Sequence, residues 1–230
     1  MVIHMHETRK KYTVLLLSAP IGSGHRLAAE ALEQAFADRP EVEVIHGNIF
    51  DFFPQFLGKA FLGTYLWILK CCPWLYKLAY SWGNKQGGSL WLRELLNRLL
   101  ARLGGNYLRS VQPDAVIATH ATPAGIIGYY KKQHPGIWLG AVVTDFTIHR
   151  WWVCDGVDTY FIADELLRDK LNTTADIQAT GIPVRQQFMI KHDKEKCREF
   201  FGWDENERVC LLMGGGEGLL PMAEIIAALQ

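Results

Sequence analysis

An excess of charge of either sign is missing from this sequence, in which 24 basic residues balance 24 acidic ones among 230 residues. A protein that binds nucleic acid through an overall basic surface is therefore not expected, and no nucleic-acid partner is predicted. The balance is not uniform along the chain. Residues 59–109 contain eight basic side chains and one acidic side chain, so this stretch carries a charge of +7 and the rest of the chain −7.

Paired cysteine motifs and long apolar runs are also lacking. The five cysteines are odd in number and form no CxxC motif, so neither a disulfide framework nor a metal site is predicted. The most hydrophobic region, residues 60–69, is ten residues long, whereas a bilayer-spanning helix needs about 20. Disorder is excluded, because 49% of the residues are hydrophobic. Reduced thiols without a membrane span predict a cytoplasmic protein.

Strands and helices alternate in the order of an open parallel α/β sheet. Strands are predicted at residues 12–19, 42–48, 114–120, 138–145, 158–164 and 176–181, and helices at 25–37, 123–133, 165–172 and 194–201. A further strand from residue 208, a glycine loop and a helix follow. One such unit cannot bury both faces of a sheet, so it is predicted to begin a second, incomplete domain. The predicted divisions are a tail at 1–11, a Rossmann-like domain at 12–190, a linker at 191–206 and the first strand, loop and helix of a second Rossmann-like domain at 207–230.

Residues 50–109 do not follow the alternation of strands and helices, and they are predicted to form an aromatic and basic helical insertion. Twelve of the 27 aromatic residues lie between residues 50 and 91, and an amphipathic helix with a leucine face follows at 92–103. Aromatic rings with cations and few acids are typical of a membrane interface. The alternative is an insertion that packs on its own sheet with its basic side chains in solvent. The candidate lipid-contacting residues are Trp67, Lys70, Trp74, Lys77, Trp82, Trp91, Arg98 and Arg102.

Two glycine loops lie between a predicted strand and a predicted helix. Glycine allows a ligand to approach the backbone, and the helix that follows offers free amides. Neither loop matches the dinucleotide fingerprint or the phosphate-loop motif. The loops consist of Gly22, Ser23 and Gly24, and of Gly214, Gly215, Gly216, Glu217 and Gly218.

Two histidines and an aspartate lie at, or shortly after, the carboxyl ends of predicted strands, where open α/β sheets bind ligands. They are His25, His120 and Asp145. An imidazole that a carboxylate orients can remove a proton from a hydroxyl group, which makes His25 and Asp145 the candidate catalytic pair. Helix capping by His25, a core position for His120 and a turn cap at Asp145 are the structural alternatives.

Five segments together resemble the monogalactosyldiacylglycerol synthases and the bacterial diacylglycerol glucosyltransferases. The first, LLSAPIGSGHRLAAEAL at residues 16–32, is similar to the amino-terminal signature of that family. The others follow in the same order: DAVIATHATPA at 114–124, VVTDFTIHRWWV at 142–153, GIPVRQQF at 181–188 and LLMGGGEG at 211–218. A more distant resemblance is to the N-acetylglucosaminyltransferase of peptidoglycan precursor synthesis.

The resemblance implies a GT-B glycosyltransferase with two Rossmann-like domains that inverts the anomeric centre without a metal or other cofactor. The amino-terminal domain would bind a lipid acceptor, and the carboxyl-terminal domain a UDP-sugar. It implies that His25 contacts the acceptor hydroxyl with Asp145 as its partner, and that the loop from Gly214 to Gly218 lies beside the donor diphosphate. The residues implied in acceptor binding are Gly22, Ser23, Gly24, His120, Thr144, His149 and Trp151.

The expected activity is therefore transfer of glucose or galactose from UDP-glucose or UDP-galactose to 1,2-diacylglycerol, with a β linkage. The expected location is the cytoplasmic face of the cell membrane, where anionic phospholipid would be a partner. The donor residues of the family lie largely beyond residue 230, so this chain is expected to be inactive alone. Two alternatives stay open: transfer to a polyprenyl-linked precursor, and a lipid-binding module without catalysis.

Overall fold

The computed structural model describes residues 11–19, 23–52, 90–214 and 220–229, with isolated positions between 56 and 81. Its strands are β1 (Tyr12–Ser18), β2 (Val42–Asn48), β3 (Ala115–Ala118), β4 (Trp138–Val142), β5 (Thr159–Ile162) and β6 (Asp176–Ala179). The α helices whose bounds lie within the described ranges are α1 (Ser23–Phe36), α2 (Leu90–Val111), α3 (Ala121–Lys131), α4 (Lys194–Phe201) and α5 (Met222–Leu229). All six strands predicted between residues 12 and 181 are confirmed, and four of them are two to three residues shorter than predicted.

The strands form one parallel sheet in the order β2-β1-β3-β4-β5-β6. Five consecutive residues of β1 are buried, as expected for a parallel strand that is covered on both faces. Alternate side chains of the central strands enter two separate cores. One core packs Leu15, Val116 and Leu139 against residues of α2 and α3, and the other packs Leu16 and Ile117 against α1. The predicted α/β Rossmann-like fold is confirmed.

Helix α2 contains the predicted amphipathic helix, but the face that it buries differs from its leucine stripe. The residues buried on α2 are Arg93, Asn97, Ala101, Gly104, Gly105 and Leu108, whereas Leu95, Leu99 and Leu103 are exposed. Small residues explain the choice, because they let α2 and α3 approach closely. A Cβ atom at Gly125 of α3 would lie 2.5 Å from the side-chain amide of Asn97. The contact between the two helices therefore needs glycine at this position.

Two predicted elements take another form. The strand predicted from residue 208 is not formed, since residues 208–214 have no regular structure and Leu211 and Met213 are exposed. A strand needs a hydrogen-bonded neighbour, and none of the described strands lies beside this segment. The helix predicted at 165–172 is instead a 3₁₀ helix, Glu165–Lys170, which Asp164 caps. Five residues then separate it from β6.

Replacing Gly128 with alanine should destabilise the fold even though Gly128 lies in a helix. Alanine in a helix is ordinarily favourable, but a Cβ atom here would lie 2.1 Å from the backbone oxygen of Asp155. We expect the free energy of unfolding to fall by about 3 kcal/mol, the upper range for overpacking. Urea unfolding measures it, with Gly136→Ala as the control because no atom lies within 4 Å of that Cβ position. Equal stability of the two variants would contradict the packing described here.

Candidate functional site

The carboxyl ends of three adjacent strands bring the predicted catalytic residues together. His25 lies in the first turn of α1, after β1. His120 follows β3, and Thr144 and Asp145 follow β4. Since β1, β3 and β4 are neighbours in the sheet, these residues converge at one edge, as expected for a ligand site in an open α/β sheet.

The His25 ring is held through one nitrogen. Its Nδ1 lies 2.7 Å from the backbone oxygen of Thr119 and 2.8 Å from the hydroxyl oxygen of Thr144. A carbonyl oxygen can only accept, so Nδ1 carries the hydrogen and donates it. In the neutral ring Nε2 then carries the lone pair. Nε2 of His25 is therefore the atom that can accept a proton from a hydroxyl group.

Asp145, which the sequence predicts as the partner of His25, has a different hydrogen-bond partner in the structure. Its Oδ2 accepts a hydrogen bond of 3.3 Å from the indole Nε1 of Trp152, and no hydrogen bond joins it to His25. The Thr119 carbonyl and the Thr144 hydroxyl orient the imidazole instead. A backbone carbonyl has no signature in the sequence, so its role could not be predicted. Trp152 is also absent from the predicted site residues, which include only Trp151 of these two adjacent tryptophans.

His120 has both a structural and a site position. Its Nδ1 accepts a 3.1 Å hydrogen bond from the backbone N–H of Thr122 and so caps α3. Its ring meets the His25 ring edge-on at 4.6 Å and lies 6.4 Å from the Trp152 ring. Burial, and to a lesser degree the charge of His25, lower the pKa of His120 to about 3. His120 is therefore a neutral ring beside His25.

The loop that carries Thr144 and Asp145 is pinned at its far end by a short 3₁₀ helix, Arg150–Trp152. The Nδ1 of His149 caps it by accepting from the backbone N–H of Trp151 at 3.2 Å. Trp152 is 2% exposed, and its carbonyl accepts a 2.8 Å hydrogen bond from the Tyr160 hydroxyl. His149 and Trp151, predicted to bind acceptor, thus lie on the same loop as Asp145.

The other predicted residues are distributed as follows. Ser23 and Gly24 form the start of α1, and Gly214 lies in irregular chain. The predicted lipid-contacting residues that are described are all exposed: Trp67, Trp74, Trp91, Arg98 and Arg102. Outside the described residues lie Gly22, Lys70, Lys77, Trp82, Gly215, Gly216, Glu217 and Gly218. No helix in the described part of the chain is long and apolar enough to cross a membrane.

The family model for monogalactosyldiacylglycerol (MGDG) synthase matches residues 25–184, a range that contains every site residue from His25 to Trp152. Similar curated proteins include processive diacylglycerol beta-glucosyltransferases from three Bacillus species. The Bacillus pumilus protein is 28% identical over 93% of this chain and 56% of its own length. Those of Bacillus cereus (strain B4264) and Bacillus subtilis (strain 168) are 30% and 26% identical, over 92% and 90% of this chain and 55% of their own lengths. The chain thus spans about half the length of the curated relatives it matches.

Proposed function

Because this chain belongs to the monogalactosyldiacylglycerol synthase family, we propose that it is the acceptor-binding half of a UDP-sugar:1,2-diacylglycerol β-glycosyltransferase. Its relatives are named as diacylglycerol glucosyltransferases, which supports glycolipid synthesis as the setting. The single observation that carries the proposal is the orientation of the His25 ring. Its Nδ1 contacts the Thr119 carbonyl and the Thr144 hydroxyl, so its Nε2 can accept a proton.

The chemistry follows from that tautomer. The 3-hydroxyl oxygen of diacylglycerol attacks the anomeric carbon of the UDP-sugar while the bond from that carbon to the UDP oxygen breaks, with inversion. Nε2 of His25 takes the hydroxyl proton. As the ring becomes positive, its Nδ1–H bond to the Thr119 carbonyl strengthens, because a charged donor forms a stronger hydrogen bond. UDP leaves with the electron pair, and the loop from Gly214 to Gly218 is proposed to lie beside its diphosphate.

The exposed face of α2 is proposed to rest on the membrane. Trp91 is 64% exposed, Leu95 53% and Leu99 51%, and Arg98 and Arg102 are exposed on the same helix. Apolar side chains beside cations suit an anionic lipid surface. The proposed location is accordingly peripheral, on the cytoplasmic face of the cell membrane.

We expect this chain alone to bind lipid but not to transfer sugar. The curated relatives extend well beyond the region that this chain matches. Residues that bind UDP-glucose or UDP-galactose are proposed to belong to that further region. Glycolipid formed by the purified chain from UDP-sugar and diacylglycerol vesicles would contradict this part of the proposal.

Vesicle flotation tests the membrane and acceptor proposals together. Binding should require anionic lipid, weaken at high salt and strengthen when diacylglycerol is added. Trp91→Ala should weaken it, whereas Phe200→Ala is the matched control, because Phe200 is 82% exposed on α4, outside the proposed surface. Absence of binding to every vesicle, or equal loss in both variants, would refute docking through α2.

A further inference from the structure

Arg93 lies on the opposite side of α2 from the exposed leucines. Only 9% of the residue is exposed. Its Nη1 donates to the backbone oxygens of Val153 and Arg150, at 2.8 and 3.2 Å, and its Nη2 donates to Glu94 at 3.0 Å. Arg93 is one of the eight basic residues at 59–109, but in the fold it is a buried donor to the backbone of another loop.

The two carbonyls belong to the first residue of the 3₁₀ helix Arg150–Trp152 and to the residue that follows it. This helix ends the loop that carries Thr144 and Asp145. Trp152 lies between them in the chain, and its indole holds Asp145. Arg93 therefore reaches from the helix whose outer face carries Trp91 and Leu95 to the loop that carries Thr144 and Asp145. The contact joins residues 57 and 60 positions apart in sequence.

We propose that Arg93 is a positioning residue. It holds the loop of residues 143–153, which carries Thr144 and Asp145, at a fixed distance and orientation from the lipid-facing side of α2. Docking of α2 on the bilayer would then set the height and orientation of the loop relative to a diacylglycerol headgroup. A planar guanidinium suits this role better than a lysine ammonium. Its N–H groups point in fixed directions relative to one another, so they set the orientation of the two carbonyls as well as supplying a positive charge. This inference rests on the proposed function for its lipid component.

Vesicle binding separates positioning from simple charge. The measured quantity is the ratio of affinities for phosphatidylglycerol-containing vesicles with and without added dioleoylglycerol. Arg93→Met should keep the affinity without dioleoylglycerol but lower this ratio by up to about tenfold, the equivalent of one charge-assisted hydrogen bond. Arg93→Lys should rescue part of it. Arg98→Met, the matched control, should weaken binding to both vesicles about fivefold and leave the ratio unchanged.

A second measurement needs no lipid. In the ¹⁵N-tryptophan spectrum of the same chain, Arg93→Met or Arg93→Lys should shift the Trp152 indole resonance, and Arg98→Met should not. The lysine variant retains the charge, which keeps the test available if the methionine variant does not fold.

The outcomes are distinct. An unchanged Trp152 resonance in both Arg93 variants would overturn the positioning role, whatever the ratio of vesicle affinities. A shifted resonance with an unchanged affinity ratio would overturn the link to the acceptor. If the wild-type chain gained no affinity from dioleoylglycerol, the proposed function and the lipid component of this inference would fail together, while the Trp152 shift would still support the Arg93 contact.

Discussion

Replacing His25 with glutamine should lower sugar transfer about 100-fold or more, the contribution of a general base, and leave lipid binding unchanged. Glutamine can still donate a hydrogen bond to the Thr119 carbonyl, but it has no atom that accepts a proton at neutral pH. The measurement is glycolipid formation from UDP-sugar and diacylglycerol by this chain joined to a donor-binding domain. Flotation of the same variant reports lipid binding separately.

Two companion variants identify the base. Thr144→Val removes the hydroxyl 2.8 Å from Nδ1 but keeps the Thr119 carbonyl, so its loss should be smaller, about tenfold or less for one neutral hydrogen bond. Asp145→Asn retains an oxygen that can accept from Trp152 and should keep most of the activity. A larger loss in Asp145→Asn than in His25→Gln would show that the carboxylate, not the imidazole, takes the proton.

Acid should weaken the fold through His120. In the unfolded chain a histidine binds its proton near pH 6.5, whereas the pKa of His120 in the fold is about 3. Below pH 6.5 the unfolded state therefore binds more protons, and the free energy of unfolding falls as the pH falls. The loss should reach about 3 kcal/mol at pH 4, at 1.4 kcal/mol per pH unit.

Urea unfolding at pH 7 and pH 4 measures that loss. His120→Asn should remove most of it, because asparagine cannot be protonated yet can accept from the Thr122 N–H as a helix cap. Gln133→Asn, at an exposed position just after α3, is the control and should keep the wild-type pH dependence. An unchanged pH dependence in His120→Asn would mean that other groups cause the acid loss.

The sheet and the location of the site could be predicted because their signals are local. Continuous apolar runs marked strands such as β1, and a parallel α/β order places His25, His120 and Asp145 at one edge. The buried face of α2 could not be predicted in this way. The leucine stripe has helical periodicity, but which face packs depends on small residues of another helix, such as Gly125.

The finer geometry of the site depends on backbone groups, which cannot be recognised from the residue types in the sequence. The orientation of His25 comes from a backbone oxygen of Thr119, about 94 residues away in sequence. The tie between Arg93 and the site loop likewise ends on backbone oxygens. The apolar run from residue 208 predicts a strand, yet a run alone does not supply the neighbouring strand that it needs.

The most direct test of the account is whether diacylglycerol reaches His25. In the spectrum of the chain with labelled histidines, bound to anionic nanodiscs, adding dioleoylglycerol should shift the His25 resonances and leave those of His134 unchanged. The His25→Gln variant assigns the signal. A shift of His25 that requires dioleoylglycerol is the predicted result. Binding to nanodiscs without any change at His25 would contradict its assignment as the acceptor base.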